Sequence, residues 1–187
     1  MDIVNMRKKS SDKSPRGYHH GDLRRVLVAA ALKLLDAQGI DAVTVRAVAR
    51  EAGVAHSAPA NHFKDRTALL TQLAVDIFQA LIEEVDAACA GSGSAKREQI
   101  EAFADVVLRF AFKHPQRYRL LWRVDCIDQS QAEFQASGGA VYERLRLIMA
   151  GGHATHLLSP DTHVVAAWAL VHGNISLRLD GTLIAGK

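Results

Sequence analysis

The residues best equipped for chemistry lie in one short stretch, and the chemistry is recognition rather than bond making. His56, Ser57 and Asn61 fall within TVRAVAREAGVAHSAPANHF, Thr44–Phe63. An Asn side chain presents donor and acceptor side by side and can pair with an adenine edge, while Ser donates or accepts. Thr44, Arg46, His62 and Lys64 surround them. Thr44 can offer a hydroxyl and backbone N–H groups to a phosphate at a helix N-terminus. Arg46 and Lys64 add charge, and His62 either reaches a phosphate or packs beside Phe63. His56 and His62 also read as ordinary solvated helix residues. Phosphate contacts position a protein on DNA, and base-edge contacts select the sequence.

Such a set works only on a rigid frame, and the same stretch supplies one. Thr44 is a natural N-cap for a short helix with Val45, Val48 and Ala49 facing inward and Arg46 and Arg50 turned elsewhere. Gly53 makes a turn, Val54 is the buried residue after it, and the small Ala49 lets the two short helices approach. The next helix is predicted over roughly Ala55 to His62, with Pro59 in or just after its first turn, since deeper placement would break it. This is the helix-turn-helix pattern, whose second helix enters a major groove.

The flanking periodicity is helical throughout. Leu23, Val26, Leu27, Ala30, Ala31, Leu34 and Leu35 form one stripe of a helix from about Gly21 to Gln38, stopped by Gly39. Asp65 caps a long helix carrying Leu69, Leu70, Leu73, Ile77, Leu81 and Val85, which ends at the Gly91–Ser94 loop. Further helices are predicted over about 96–113, from Pro115 through Tyr118, Leu121 and Trp122, over 129–150 with a bend at Gly138-Gly139, and from a Ser159-Pro160 start to about Asp180. With neither strand pattern nor internal repeat, the fold class is all-α.

Composition narrows the function. The 187 residues are 49% hydrophobic and 23% charged, enough to fill a core. No apolar run approaches the roughly 20 residues needed to span a bilayer, and the basic, Ser-rich N-terminus has no apolar segment behind it, so a cytoplasmic protein without a membrane partner is expected. Cys89 and Cys126 fit reduced thiols rather than a disulfide or zinc framework. Residues 1–70 carry 12 Lys and Arg against 7 Asp and Glu, whereas the remainder carries 11 against 13. The positive excess therefore sits with the helix-turn-helix and suits a polyanion, though a solvated basic tail would look the same. Residues 1–17 read as a disordered arm in which Arg7 or Arg16 could enter a minor groove or add only nonspecific attraction. No phosphate loop, nucleophile elbow or HExxH motif occurs. His153 and His156 could share a helix face but have no acidic or Cys partner at metal-ligand spacing nearby. The expectation is a non-enzyme with no metal and no cofactor.

The later helices are rich in aromatics. Phe103, Val107 and Phe110 lie on one, Tyr118 and Trp122 on the next, Phe134 on another, and Trp168 and His172 one turn apart on the last. Large aromatics with a few polar tips are what an effector pocket needs, and also what any helical core contains. His172 either bonds an effector or partner helix or is a satisfied structural histidine, and Gly173 permits close helix approach.

YHHGDLRRVLVAAALKLL (Tyr18–Leu35), Thr44–Phe63 and KDRTALL (Lys64–Leu70) resemble, almost continuously, the DNA-binding domain of the TetR family of transcriptional regulators. AAWALVHGNISL (Ala166–Leu177) resembles the Trp and His-Gly of one C-terminal subgroup. The resemblance implies a homodimer, a palindromic double-stranded DNA operator, and repression relieved by a small-molecule effector bound in the helical core. It implies a three-helix DNA-binding domain over 18–64 and a ligand-binding and dimerisation domain over 65–187. The chain departs from the pattern where Ala60 replaces a customary aromatic and where Ala55 occupies a position that often holds a Ser or Thr cap and phosphate contact. It also ends soon after the last predicted helix, where family members commonly have one more. The second reading, motivated by these departures, is a ligand-binding helical scaffold dimer that has lost specific DNA binding.

Overall fold

A long helix forms the spine because its apolar residues recur at helical spacing and an Asp starts it. In the computed structural model, which describes residues 20–150 and 160–183, this helix is α3, Arg66–Gly91, and the Asp65 carboxylate accepts the Ala68 N–H at 2.8 Å. At 1.5 Å per residue it runs about 39 Å, from the N-terminal head into the core. Before it come α1 (His20–Gln38) and α2 (Val45–Glu51); after it come α4 (Lys96–Lys113), α5 (Pro115–Leu120), α6 (Ala132–Met149) and α7 (Pro160–Leu179). All the regular structure among the described residues is helical.

One apolar core runs the length of the molecule. Leu27, Ala31, Leu35 and Val43 fill the head around Leu69 and Leu70, while Phe103, Val107, Leu120, Leu145 and Ile175 close on Leu73 and Leu81 further along. α4 and α6 flank α3, and α7 packs across both. Gly39 ends α1 at a φ of +83°, in the left-handed region that a Cβ disfavours, and its N–H bonds Leu35 O at 2.9 Å. This is the stop that the sequence predicts.

The expected boundaries hold to within a few residues except at the segment predicted to read DNA. The helix predicted over Ala55 to His62 is a turn at His56-Ser57 followed by a single 3-10 turn, Ala58–Asn61. Pro59 explains it. Pro59 has no N–H to give, and its ring disfavours helical geometry at Ala58. Most of the surviving bonds are of the tighter kind: Ala58 N to Ala55 O at 2.9 Å, Ala60 N to Ser57 O at 3.2 Å, His62 N to Pro59 O at 2.9 Å; one α-type bond, Phe63 N to Pro59 O at 2.8 Å, closes the segment. Leu121 and Trp122 lie just beyond α5 rather than in it, and α6 starts at Ala132, three residues later than predicted. Val45 and Val54 are half-buried rather than buried. Gly173 meets no neighbour within 4 Å of a built Cβ, so no helix among the described residues uses the close approach it permits. The basic arm with Arg7 and Arg16, the His153 and His156 pair, and Ser159 lie outside the described residues.

Candidate nucleic-acid interface and core cavities

The head is locked by a few polar contacts. Thr44 caps α2, its Oγ1 accepting the Ala47 N–H at 3.1 Å. Gly53 turns the chain at a φ of +67°, and the Val54 N–H returns to Ala49 O at 3.0 Å. Arg66 does most to hold the loop before α2. Its Nε donates to Val43 O and its Nη2 to Ile40 O, each at 2.7 Å. Arg24 lies over the Phe63 ring at 5.6 Å and donates to Gln72 Oε1 at 2.5 Å, which joins α1 to α3. Sequence reasoning singled out neither arginine. The signal for Arg66 was its place at the first residue of α3, where a cation opposes the helix dipole and so needs another role.

The frame presents a contiguous exposed edge. Thr44, Arg46, Ala55, His56, Ser57, Asn61 and Lys64 are all exposed, and His62 is half-buried beside buried Phe63. Pro59 is the one buried residue of the 3-10 turn and anchors it to the head. Arg46 and Lys64 form no ion pair within 4 Å among the described residues. The edge thus offers positive charge, small hydroxyl and amide groups, and no large apolar side chain.

The aromatics predicted to line a pocket divide into three groups. Phe103, Val107 and Phe110 are core residues, at most 5% exposed, and line neither of the two cavities described next. The first cavity, about 480 Å³, lies where head meets core. Tyr118, Trp122 and His172 face the loop that follows α1, and Asp41, Arg119, Arg123 and Asp180 bring charge to it. The second, about 430 Å³, lies between α3, α6 and α7, walled by Phe78, Trp122, Phe134, Tyr142 and Trp168. Trp122 belongs to both.

Tyr118 and His172 are bonded to each other, Oη to Nδ1 at 2.7 Å. Burial raises the Tyr118 phenol above its ordinary range and lowers His172, so the phenol keeps its proton and the imidazole stays neutral near pH 7. The Tyr118–His172 bond is therefore one between neutral groups, and Nε2 faces Ser176 Oγ at 3.5 Å. His172 also stacks on Trp168, ring centroids 6.4 Å apart, as their spacing of one turn requires. These partners lie within the chain, and the ring also lines the first cavity.

α5 links the two halves. Arg117 grips Asp36 of α1 in a bidentate pair, Nε to Oδ1 at 2.8 Å and Nη2 to Oδ2 at 2.6 Å. Arg119 donates to Leu179 O at the end of α7, at 2.6 Å. Between them stands Tyr118. Cys89 and Cys126 carry free thiols. Among the described residues no group of His, Cys, Asp or Glu is arranged to hold a metal ion, and no helix is long and apolar enough to cross a membrane.

A Thr-capped helix, a glycine turn and an exposed reading segment on a helical ligand-sized core define a helix-turn-helix transcriptional regulator. Residues 27–73 match the family model for bacterial regulatory proteins of the tetR family, and residues 100–186 match that of the tetracyclin repressor-like C-terminal domain. The chain belongs to the TetR family. An uncharacterised HTH-type transcriptional regulator of Mycobacterium tuberculosis is 23% identical over 163 residues, 86% of this chain and 72% of its own. Among solved structures, a protein of unknown function from Rhodococcus sp. RHA1 shares 31% identity over 92% of this chain and 91% of its own, with a TM-score of 0.79. The transcriptional regulator FadR from Bacillus subtilis, solved in complex with stearoyl-CoA, shares the fold at 15% identity, with a TM-score of 0.65 over 86% of this chain and 89% of its own.

Proposed function

We propose that this TetR-family regulator is a homodimeric repressor that binds a palindromic operator and is released by a small-molecule effector. The exposed edge from Thr44 to Lys64 carries this reading. Ser57 and Asn61 read base edges, with His56 beside them; Thr44, Arg46 and Lys64 hold phosphates, with His62 at the margin. Ala55 contributes only its backbone. Two heads related by a two-fold would meet half-sites roughly 34–36 Å apart.

The dimer is read from α7. Ala166, Ala169, Leu170, Gly173 and Leu177 share one face, with Leu170 76% and Leu177 47% exposed. An apolar helix face of this kind is covered in a stable assembly. The Trp168 and His172-Gly173 pattern on the same helix supports the Trp-His-Gly subgroup for the C-terminal part. Release follows from the shared element: a ligand that repositions Trp122 or Tyr118 moves α5, and α5 carries Arg117 and hence α1. The ligand weakens DNA binding only by its preference for the displaced arrangement. That a regulator of the same fold, FadR, has been solved with stearoyl-CoA supports a ligand-responsive core.

The test is selection of random duplexes on the purified protein, read by sequencing, with Asn61→Ala in parallel. A palindromic motif that weakens in the variant is expected. The absence of any enriched motif at low salt would refute the reading and favour the scaffold dimer that has lost specific DNA binding.

A further inference from the structure

We infer that the cavity between α3, α6 and α7 is the effector site, and that its ligand is an uncharged, largely aromatic molecule. The inference deepens the ligand-responsive reading and rests on it. Phe78, Trp122, Phe134, Tyr142 and Trp168 supply the walls, and among the described residues no Asp, Glu, Lys, Arg or His stands in the lining. Among the described residues the polar side chains there, besides the Tyr142 phenol and the indole N–H groups, are two neutral amides, Gln129 and Gln135, both exposed. An ionised group set against these aromatic walls would find no partner of opposite charge among the described residues. The cavity at the head shows the contrast, because Asp41, Arg119, Arg123 and Asp180 line it. The volume of about 430 Å³ suits a ligand of two or three fused or linked rings.

The glycine pair inside α6 is the second observation. A glycine within a helix destabilises it relative to alanine, so each needs a reason. For Gly138 the reason is internal: a Cβ there would lie 3.3 Å from the Phe78 ring. For Gly139 the protein supplies none, since a Cβ would meet nothing within 4 Å and the backbone φ is not positive. Gly139 is exposed and stands in the rim of the cavity, and the space beside it is open. A large side chain at that position would favour the helix and encroach on the mouth of the cavity.

Both tryptophans of the chain lie in this wall, so their emission reports occupancy, and the Gly139 variant separates this cavity from the first, which Trp122 also lines. The probes are N-phenyl-1-naphthylamine, which is neutral, and 1-anilinonaphthalene-8-sulfonate, the same ring system bearing a sulfonate. Saturable quenching of tryptophan emission by the neutral probe is expected at one molecule per chain, with the sulfonate binding at least tenfold more weakly. Gly139→Leu should weaken the neutral probe at least tenfold while melting at or above the wild-type temperature. Equal affinity for the two probes would overturn the inference, as would neutral-probe binding that Gly139→Leu leaves unchanged or no binding at all. Duplex selection is read separately. A chain that binds the neutral probe here but enriches no duplex keeps the cavity and loses the regulator reading. One that enriches a palindrome but ignores the probe keeps the regulator reading and loses this ligand class.

Discussion

Replacing Arg117 with Met removes the bidentate pair between α5 and α1 while keeping the length of the side-chain stem. Two unit charges about 4 Å apart attract by about 4 kcal/mol at an effective dielectric of 20. Here the side chains are 27% and 36% exposed, so solvent screens the pair substantially. Exposed ion pairs yield about 0.2–1 kcal/mol, and the forked geometry moves this one toward the upper end. A net coupling of about 1 kcal/mol follows. The assay is urea unfolding of wild type, Arg117→Met, Asp36→Asn and the double variant. The difference between the summed single effects and the double effect isolates the pair. That coupling should fall by half or more when salt is raised to about 1 M, where the screening length is about 3 Å. A coupling under about 0.3 kcal/mol at low salt would refute the argument that this pair fastens head to core. Attachment would then rest on the packing of α5 against α1, on the Arg24 bond to Gln72 and on the continuity of α3.

Arg66→Met strips Val43 O of its Arg66 donor and leaves Ile40 O with only the Val43 N–H; it should cost about 1–3 kcal/mol in urea unfolding, and a loss under about 0.5 kcal/mol would deny Arg66 its positioning role. Asn61→Ala should relax preference at one base position by about 1–3 kcal/mol. Lys64→Ala should weaken all duplexes alike and lower the slope of log affinity against log salt by about 0.9, so a sequence-dependent loss there would contradict the assignment. Burial holds His172 below its ordinary value near 6.5, so its contribution to stability is complete above about pH 6.5 and declines as pH falls toward the folded value. His172→Asn should flatten the urea midpoint between pH 7.5 and 5.5 only in part, because burial and the Arg117 charge shift His114 in the same direction; no flattening would rule His172 out as a source of acid sensitivity. Leu170→Glu should turn the dimer into a monomer in sedimentation and abolish palindrome binding; an unchanged dimer would move the interface off this face of α7.

The sequence made most of the helical frame readable because each long helix declares itself twice, by a 3.6-residue stripe and by its ends. Asp65 and Pro115 mark helix starts, and Gly39 marks a stop. Pro59 was read correctly as confined to an early turn, yet not as the reason the whole segment stays a 3-10 turn. The lining of the two cavities was readable only in part. Trp122, Trp168, Tyr118 and His172 line cavities, but Phe103, Val107 and Phe110 do not. Aromatic character predicts burial and does not distinguish a packed side chain from one beside a void. Gly139 and Phe78 carried no such signal, because a cavity is formed by what two distant segments fail to fill. The pairs that bind the halves were also invisible, since Asp36 and Arg117 are 81 positions apart and periodicity speaks only of neighbours.

α5 has six residues and is about 9 Å long, fastened to α1 by Arg117 and to α7 by Arg119 and Tyr118. A body so short has little room to bend, so a shift at one end arrives at the other, and it does so in both directions. If the ligand loosens the grip on DNA by some factor, the operator must loosen the grip on the ligand by the same factor. Promoter-bound dimers would then respond only at higher ligand concentration than the unbound pool. The induction threshold becomes a property of how much regulator a cell holds in excess of its operators, as well as of the cavity itself.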